Sequence, residues 1–191
     1  ASRLEPLLSE KLTGYAWEVR IQDSRKSQYG EAILDMVLSH PDIELWFEHK
    51  VGAQLNKYDS QLGNQVDQLQ KYLDAAARVM TGMDDAKQAV SWPAGGPTSG
   101  MPRILLFYIS RSGAALERDQ YQGRLYSSGK TGLVFPENNQ QLRWRDFFPL
   151  GKQALEASLQ GSAGVFEATL AQQFLEYWQS IRGMWRQLEF N

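Results

Sequence analysis

The chain has 191 residues, of which 42% are hydrophobic and 22% charged, and its net charge is −2. Cysteine is absent and there are two histidines, which excludes disulfides, thiolate zinc sites, cysteine nucleophiles and histidine-rich metal sites. A metal site in this chain must therefore use carboxylate and carbonyl oxygens, which suit hard ions such as Mg²⁺ or Mn²⁺.

Neither a membrane nor a secretory pathway is indicated by the apolar pattern. No apolar run approaches the roughly 18 residues that cross a bilayer. The first ten residues carry two glutamates and no long apolar stretch, so no signal peptide is predicted. We therefore expect a cytoplasmic protein with no membrane partner. The arginines are spread singly, without the dense basic cluster that is typical of a free-standing nucleic-acid binder.

The first part of the chain is predicted to form a short helix and three strands. Periodicity and turn residues define these elements, and two strands joined by a short turn predict an antiparallel hairpin. The elements are a helix at 4–12, a strand at 15–21, a polar turn-like segment at 23–30, a strand at 32–38, a turn at 39–42 and a strand at 43–51.

The remainder alternates helices with strands. The elements are a helix at 59–80, a loop at 92–102, a nearly continuous apolar strand at 103–110, an irregular part at 113–139 with a short strand at 132–135, a strand at 142–147, and helices at 154–159 and 165–190. The apolar strand is expected to be buried on both faces. The order predicts a single α/β (α+β) domain over 1–191, in which helices flank a mixed central sheet and the last helix is long.

The strand at 43–51 places an acid beside a lysine. Side chains alternate across a strand, so Glu48 and Lys50 project together on one face. The side chain of His49 is expected on the other face, as a core residue and not a ligand. A plain ion pair, worth about 0–1 kcal/mol at a surface, is the alternative interpretation of this pair. One face of this strand is expected to carry Leu45, Phe47, His49 and Val51, and the other face Glu44, Trp46, Glu48 and Lys50.

Asp35 interrupts an otherwise apolar strand. A charge in such a strand needs a partner or a metal ion. If Leu38 pairs with Ile43 across the turn, Asp35 lies opposite Trp46 and one diagonal step from Glu48. Two carboxylates that face each other repel unless a cation lies between them. A buried structural acid paired with Lys50 is the alternative.

These features resemble the PD-(D/E)xK nuclease superfamily. The resemblance rests on Asp35, on Glu48-His49-Lys50 and on the order strand, turn, strand, helix. The proline that precedes the aspartate in the family is missing, since Leu34 stands there. Asp42 follows a proline, but it lies in the turn and stays a minor alternative to Asp35.

A second motif resembles the QxxxY helix motif of the RecB-like branch. Gln68 and Tyr72 are four positions apart on the long predicted helix, so they share a face. Each short motif also occurs by chance elsewhere, and what carries weight is the ordered combination over residues 32–74. The other occurrences are Asp85/Lys87 for the acid-x-Lys pair and Gln54/Tyr58, Gln122/Tyr126 and Gln173/Tyr177 for QxxxY.

The resemblance implies a carboxylate metal site. Asp35, Glu48 and the backbone carbonyl of His49 would hold one or two Mg²⁺ ions, or Mn²⁺. A glutamate from the first helix often joins such sites, and the choice between Glu5 and Glu10 stays open. The catalytic core would span residues 1–110, with a variable part at 111–191.

The remaining site residues would act on the substrate. Lys50 would orient the attacking water or stabilise charge in the transition state. Gln68 would fix Lys50 or a phosphate oxygen, and Tyr72 would pack and hydrogen-bond at the rim.

The implied activity is a Mg²⁺-dependent nuclease that hydrolyses phosphodiester bonds in DNA, ahead of RNA, in bacterial defence, restriction or repair. A homodimer and a larger defence or repair assembly stay open as partners. The alternative is a catalytically inactive nuclease-fold domain that binds DNA or protein, or oligomerises through its aromatic C-terminal helix.

Overall fold

The structure is a computed structural model that describes residues 17–50, 55, 57–59, 65–85, 87–110, 118–125, 131–134 and 142–143. All of them belong to the compact unit Ala1–Trp144. The helices expected at 4–12, 154–159 and 165–190, together with Glu5 and Glu10, lie outside the described residues. Within this part of the chain, no helix is long and apolar enough to cross a bilayer.

A six-stranded mixed sheet forms the centre of the fold. Its strands are β1 (Glu18–Ser27), β2 (Gly30–His40), β3 (Ile43–Lys50), β6 (Arg103–Ser110), β7 (Gly132–Leu133) and β8 (Leu142–Arg143). The order is β1-β2-β3-β6-β7, and β8 also pairs with β6. The first three strands are antiparallel, whereas β6 runs parallel to β3, β7 and β8. The predicted α+β class with a mixed central sheet is confirmed.

One helix, α1 (Gln68–Thr81), is described, and it starts later than expected. Asp67 caps its first turn: the Asp67 carboxylate accepts from the Gln70 backbone N–H, and the Gln70 side chain accepts from the Asp67 N–H. The prediction of a helix over 59–80 is therefore wrong at its start. Two short antiparallel strands, β4 (Lys57–Asp59) and β5 (Gln65–Asp67), precede α1 instead.

The helix packs its apolar face on one side of the sheet. Trp46 of β3 is fully buried in the same core as Val37 of β2, with which it pairs, and the helix residues Leu69 and Leu73. Leu106 of β6 belongs to the same core. On the opposite side of the sheet, Phe47 stacks on the Phe107 ring at 4.9 Å. β3 and β6 are thus buried on both faces, as expected for β6 from its continuous apolar run.

The first hairpin corrects the prediction of a turn at 23–30. β1 continues to Ser27, and the turn consists of two residues, Gln28 and Tyr29. Polar residues fit a strand here because they pair with one another: Arg25 Nε donates to Asp23 Oδ2 at 2.7 Å. The chain beyond α1 matches the prediction more closely, because 92–102 contains neither strand nor helix and β6 has the expected bounds.

Candidate active site

Glu48 is the centre of the candidate site. It is 2% exposed and accepts three hydrogen bonds from side chains. Gln68 Nε2 and Lys50 Nζ donate to Glu48 Oε1 at 2.7 and 2.9 Å, and Tyr72 Oη donates to Glu48 Oε2 at 2.8 Å. The two predicted motifs, one on β3 and the other on α1, therefore meet on a single carboxylate.

The alternation of β3 explains why Glu48 faces the helix. Trp46 points into the core beneath α1, so the side chains two positions away point the same way. Phe47 and His49 share the other face, with their ring centroids 6.3 Å apart. The expected placement of the His49 side chain on the face opposite Glu48 agrees with this arrangement.

Lys50 lies at the last position of β3, and its side chain is 14% exposed. β3 and β6 are parallel, so both strands end at the same edge of the sheet. Lys50 thus lies at this edge of the sheet, with its Nζ 2.9 Å from the buried carboxylate of Glu48.

The first two turns of α1 supply Gln68 and Tyr72. The capping box at Asp67 fixes this end of the helix, and Tyr121 Oη donates to Asp67 Oδ2 at 2.7 Å. Gln68 Nε2 also lies 2.6 Å from Tyr72 Oη, and Tyr72 Oη lies 2.7 Å from the Ile33 carbonyl of β2. Tyr72 therefore joins the helix to both β2 and β3 at the site.

Asp35 lies next to the Glu48 cluster. The β2–β3 register pairs Val37 with Trp46, two residues away from the expected pairing of Asp35 with Trp46, because the turn is shorter than predicted. On a regular strand a shift of two residues would preserve the expected face, but Leu34 and Val37 both reach the core under α1, so β2 changes face at Asp35. The pairing ends at Met36↔Phe47, and the same register continued by one residue brings Asp35 across from Glu48.

The carboxylate of Asp35 binds the backbone directly after Glu48. Its Oδ2 accepts from the His49 N–H at 2.7 Å and lies 4.0 Å from His49 Nδ1. Its Oδ1 accepts from Gln22 Nε2 at 3.3 Å. Among the described residues, Asp35 makes no ion pair with Lys50. Lys50 contacts Glu48 instead. Asp42, the alternative, is exposed in the turn near His40.

The electrostatics of the site keep Glu48 short of positive charge. Burial raises the pKa of Glu48, and the hydrogen bonds from Lys50 and Tyr72 oppose this rise only in part. The negative charge of Asp35 adds to the increase. A cation near both carboxylates would reverse both effects.

Neighbouring groups respond to the same charge. Burial and the charge of Glu48 raise the pKa of Tyr72, so its hydroxyl stays protonated and able to donate. Burial, together with the smaller effect of the negative charge of Glu48, also raises the pKa of Tyr108 on β6 to about 12. Burial lowers the pKa of His49, which leaves its imidazole neutral near pH 7.

The donor set fits a hard divalent ion. An ionised carboxylate has about four lone-pair sites, and Glu48 Oε2 accepts from a single side chain. Gln68 Oε1 is buried at the site and has no hydrogen-bond partner among the residues that the structure describes, so it could accept from a water of hydration. Among the described residues, no group of three or more His, Cys, Asp or Glu could hold a metal ion. The resemblance to the nuclease superfamily would add the main-chain carbonyl of His49 as a third oxygen.

Three supporting residues were not anticipated. Asp67 could have been found, because an aspartate three positions before a glutamine is a capping signal. Tyr121 and Gln22 carry no local signal, since both reach the site through the fold. Of the five predicted site residues, Glu48 and Lys50 lie at the end of β3 and Gln68 and Tyr72 in the first two turns of α1, whereas Asp35 lies in the middle of β2.

Comparison of the chain with protein-family models, with curated protein sequences and with solved structures gives no match. Any assignment of activity therefore depends on the chemistry of the side chains around Glu48.

Proposed function

We propose that the chain is a metal-dependent nuclease of the PD-(D/E)xK kind, with a restriction-endonuclease-like fold, that hydrolyses phosphodiester bonds in DNA. One observation carries the proposal. Glu48 is buried, and it accepts hydrogen bonds from the lysine two positions on and from the glutamine and tyrosine of a helix 20 and 24 positions on. Both ordered motifs thus converge on one under-neutralised acid.

Asp35, Glu48 and the main-chain carbonyl of His49 are the oxygen donors that we assign to one or two Mg²⁺ ions, with Mn²⁺ as a substitute. When bound, the ion supplies positive charge for the scissile phosphate and an acidified water. Lys50 adds a second positive charge next to Glu48, where it can stabilise the phosphate or orient the attacking water.

Gln68 and Tyr72 hold Glu48 in place for this role. Each donates to a different oxygen of the carboxylate, which fixes its plane. Groups that orient a metal ligand typically change metal affinity or activity by about 10–100-fold when they are removed. We assign both residues to positioning of Glu48, and the Gln68 oxygen would be available to accept from water on a bound ion.

A second candidate is a nuclease-fold domain that binds DNA or protein without cleaving it. The observation that favours it is the small carboxylate set: within the described ranges, no three acids or histidines are grouped for a metal ion. Cytoplasmic location, a homodimer and a larger defence or repair assembly are proposals under either candidate.

DNA cleavage by the full chain tests the assignment. Supercoiled plasmid and linear duplex are incubated with the protein and Mg²⁺ or Mn²⁺, with and without a chelator, beside Asp35→Ala, Lys50→Ala and the double variant. We expect chelator-sensitive cleavage that falls by about 10²–10³-fold in each single variant, as when one group that stabilises transition-state charge is removed. Circular dichroism shows whether each variant keeps its fold.

The chain offers a matched control. Asp85 and Lys87 repeat the acid-x-Lys spacing but are exposed on the surface, so Lys87→Ala should cleave as the wild type does. Cleavage by the double variant at the wild-type rate would end the nuclease assignment. DNA binding without cleavage by the wild type would favour the second candidate.

A further inference from the structure

Gln22 has an unusual backbone conformation in the middle of β1. Its φ is 52°, and it is the one non-glycine residue with a positive φ in the part of the chain that the structure describes. This left-handed conformation brings the Cβ of an L-residue close to the backbone, and glutamine has no special tolerance for it. Such conformations persist where the surrounding structure imposes them, and they cluster at functional sites.

The unusual residue interrupts the β1–β2 ladder opposite Asp35. β1 has ten residues, and nine of them pair with β2; the exception is Gln22. The pairs on either side, Ile21↔Met36 and Asp23↔Leu34, keep the same register. No residue is inserted, so the distortion is confined to the position that faces Asp35.

The distortion coincides with a change of face in β2. Leu34 and Val37 both reach the core under α1, although residues three apart on a regular strand face opposite sides. Asp35 lies at this change of face. Its two oxygens accept from donors on opposite sides of β2: Gln22 Nε2 of β1 at 3.3 Å and the His49 N–H of β3 at 2.7 Å.

We propose that Gln22 is a positioning residue for Asp35: its left-handed backbone interrupts the ladder, and its amide holds one carboxylate oxygen so that the other stays on the His49 N–H, directly after Glu48. The consequence for metal binding rests on the proposed nuclease function. The effect on the position of Asp35 does not, because it concerns the metal-free protein.

Three substitutions separate the backbone from the amide. Gln22→Gly removes both the steric conflict and the amide, since glycine adopts positive φ freely. Gln22→Asn keeps an amide and a residue that tolerates this conformation. Ser24→Gly is the matched control, because Ser24 is exposed on the same strand and pairs normally with Ile33.

The measurements are made first without metal. We expect the melting temperature to rise in Gln22→Gly and to fall in Ser24→Gly, since glycine weakens an ordinary strand position. Hydrogen exchange of the His49 amide should be several-fold faster in Gln22→Gly, because Asp35 loses one of its two anchors, and should be unchanged in Ser24→Gly.

Titration with Mn²⁺ follows, monitored by the melting temperature. We expect the midpoint to shift to about tenfold higher Mn²⁺ in Gln22→Gly, in line with other residues that orient a metal ligand, with part of the loss recovered in Gln22→Asn. Unchanged His49 exchange in Gln22→Gly would overturn the positioning role, and a lower melting temperature would overturn the steric conflict inferred at its backbone. If the wild type neither binds Mn²⁺ nor cleaves DNA, the proposed function fails, and the metal-free measurements still decide the role of Gln22.

Discussion

Two glutamates on the same face of β3 have opposite electrostatic environments. Glu44 and Glu48 are 5% and 2% exposed, and both point towards the side of the sheet that carries Trp46. Burial alone would raise both pKa values. At Glu44 the hydrogen bond from Trp46 Nε1 and the charge of Arg25, with Ser39 and Arg20, outweigh burial and lower the pKa. At Glu48 burial outweighs the hydrogen bonds from Lys50 and Tyr72, and the pKa is raised.

The difference lies in the charge that surrounds each acid. Arg20 and Arg25 both contact Glu44, so that acid is fully compensated. Within the described ranges, Glu48 has one cationic partner, Lys50, and a second acid nearby in Asp35. A buried acid that is compensated supports the fold, whereas one that is left short of positive charge is a candidate for chemistry.

The largest expected effect is a contrast between two variants: Glu48→Gln should mainly reduce cleavage, and Glu44→Gln should mainly reduce stability. We expect Glu48→Gln to reduce DNA cleavage by about 10²–10³-fold, and to change the free energy of unfolding by about 1 kcal/mol or less, because the relieved cost of burying a charge offsets the lost hydrogen bonds. We expect Glu44→Gln to lower that free energy by about 2–3 kcal/mol, because Arg20 and Arg25 each lose a buried carboxylate partner and keep Asp23 as their shared acidic neighbour.

Cleavage rates and urea unfolding midpoints of the two variants measure this contrast. Glu44→Gln should retain wild-type cleavage at temperatures where it stays folded. The comparison fails if Glu44→Gln is folded but inactive, or if Glu48→Gln still cleaves.

The next effect is stabilisation by metal. A ligand at 100 times its Kd stabilises the folded state by about 2.7 kcal/mol if it does not bind the unfolded chain. Mg²⁺ should therefore raise the melting temperature of the wild type. Asp35→Asn should lose this increment because it removes a negative charge from the site, and Glu44→Gln should keep it.

Calorimetric melts with Mg²⁺ and with a chelator provide the test. An equal increment in the wild type and in Asp35→Asn would contradict metal binding at this carboxylate.

The smallest effect is a pair of opposite pH dependences in the metal-free protein. The pKa of Glu48 is raised in the folded state above its ordinary value of 4.5, so its contribution to stability is complete below that value and is lost as the pH rises through the folded-state pKa. The pKa of Glu44 is lowered, so its contribution is present above 4.5 and is lost as the pH falls through the folded-state pKa.

Urea denaturation between about pH 3 and pH 8 can resolve these slopes, because each unit of pKa shift corresponds to about 1.4 kcal/mol. Relative to wild type, Glu48→Gln should gain stability as the pH rises and Glu44→Gln should gain stability as the pH falls. Parallel profiles for the two variants would remove the electrostatic distinction.

Residue alternation and apolar runs predicted much of this region. The faces of β3, the bounds of β6 and the proximity of Gln68 to Tyr72 follow from periods of 2 and 3.6 residues, which are local properties. The alternation of apolar and polar residues is clearest where one face of an element is buried, as at Trp46. These periods are sufficient to bring Glu48 and the helix motif to the same side of the sheet.

The remaining features depend on contacts that no local pattern contains. The start of α1 was misplaced because apolar spacing continued upstream through Val66, although Asp67 carries the cap. The hairpin register was wrong by two residues because a two-residue turn replaced a predicted four-residue turn. No local pattern indicates the left-handed backbone of Gln22, since glutamine has no preference for this conformation.

The hydrogen bond from Tyr121 to Asp67 bears on where the chain could be shortened. Tyr121 comes 54 positions after Asp67 and eleven after the end of β6 at Ser110. A truncated fragment that stopped at residue 110 would contain Asp35, Glu48 and the helix motif. It would nevertheless leave the cap of α1 without its tyrosine donor, directly before Gln68, so the smallest piece with an ordered site must extend beyond the predicted core.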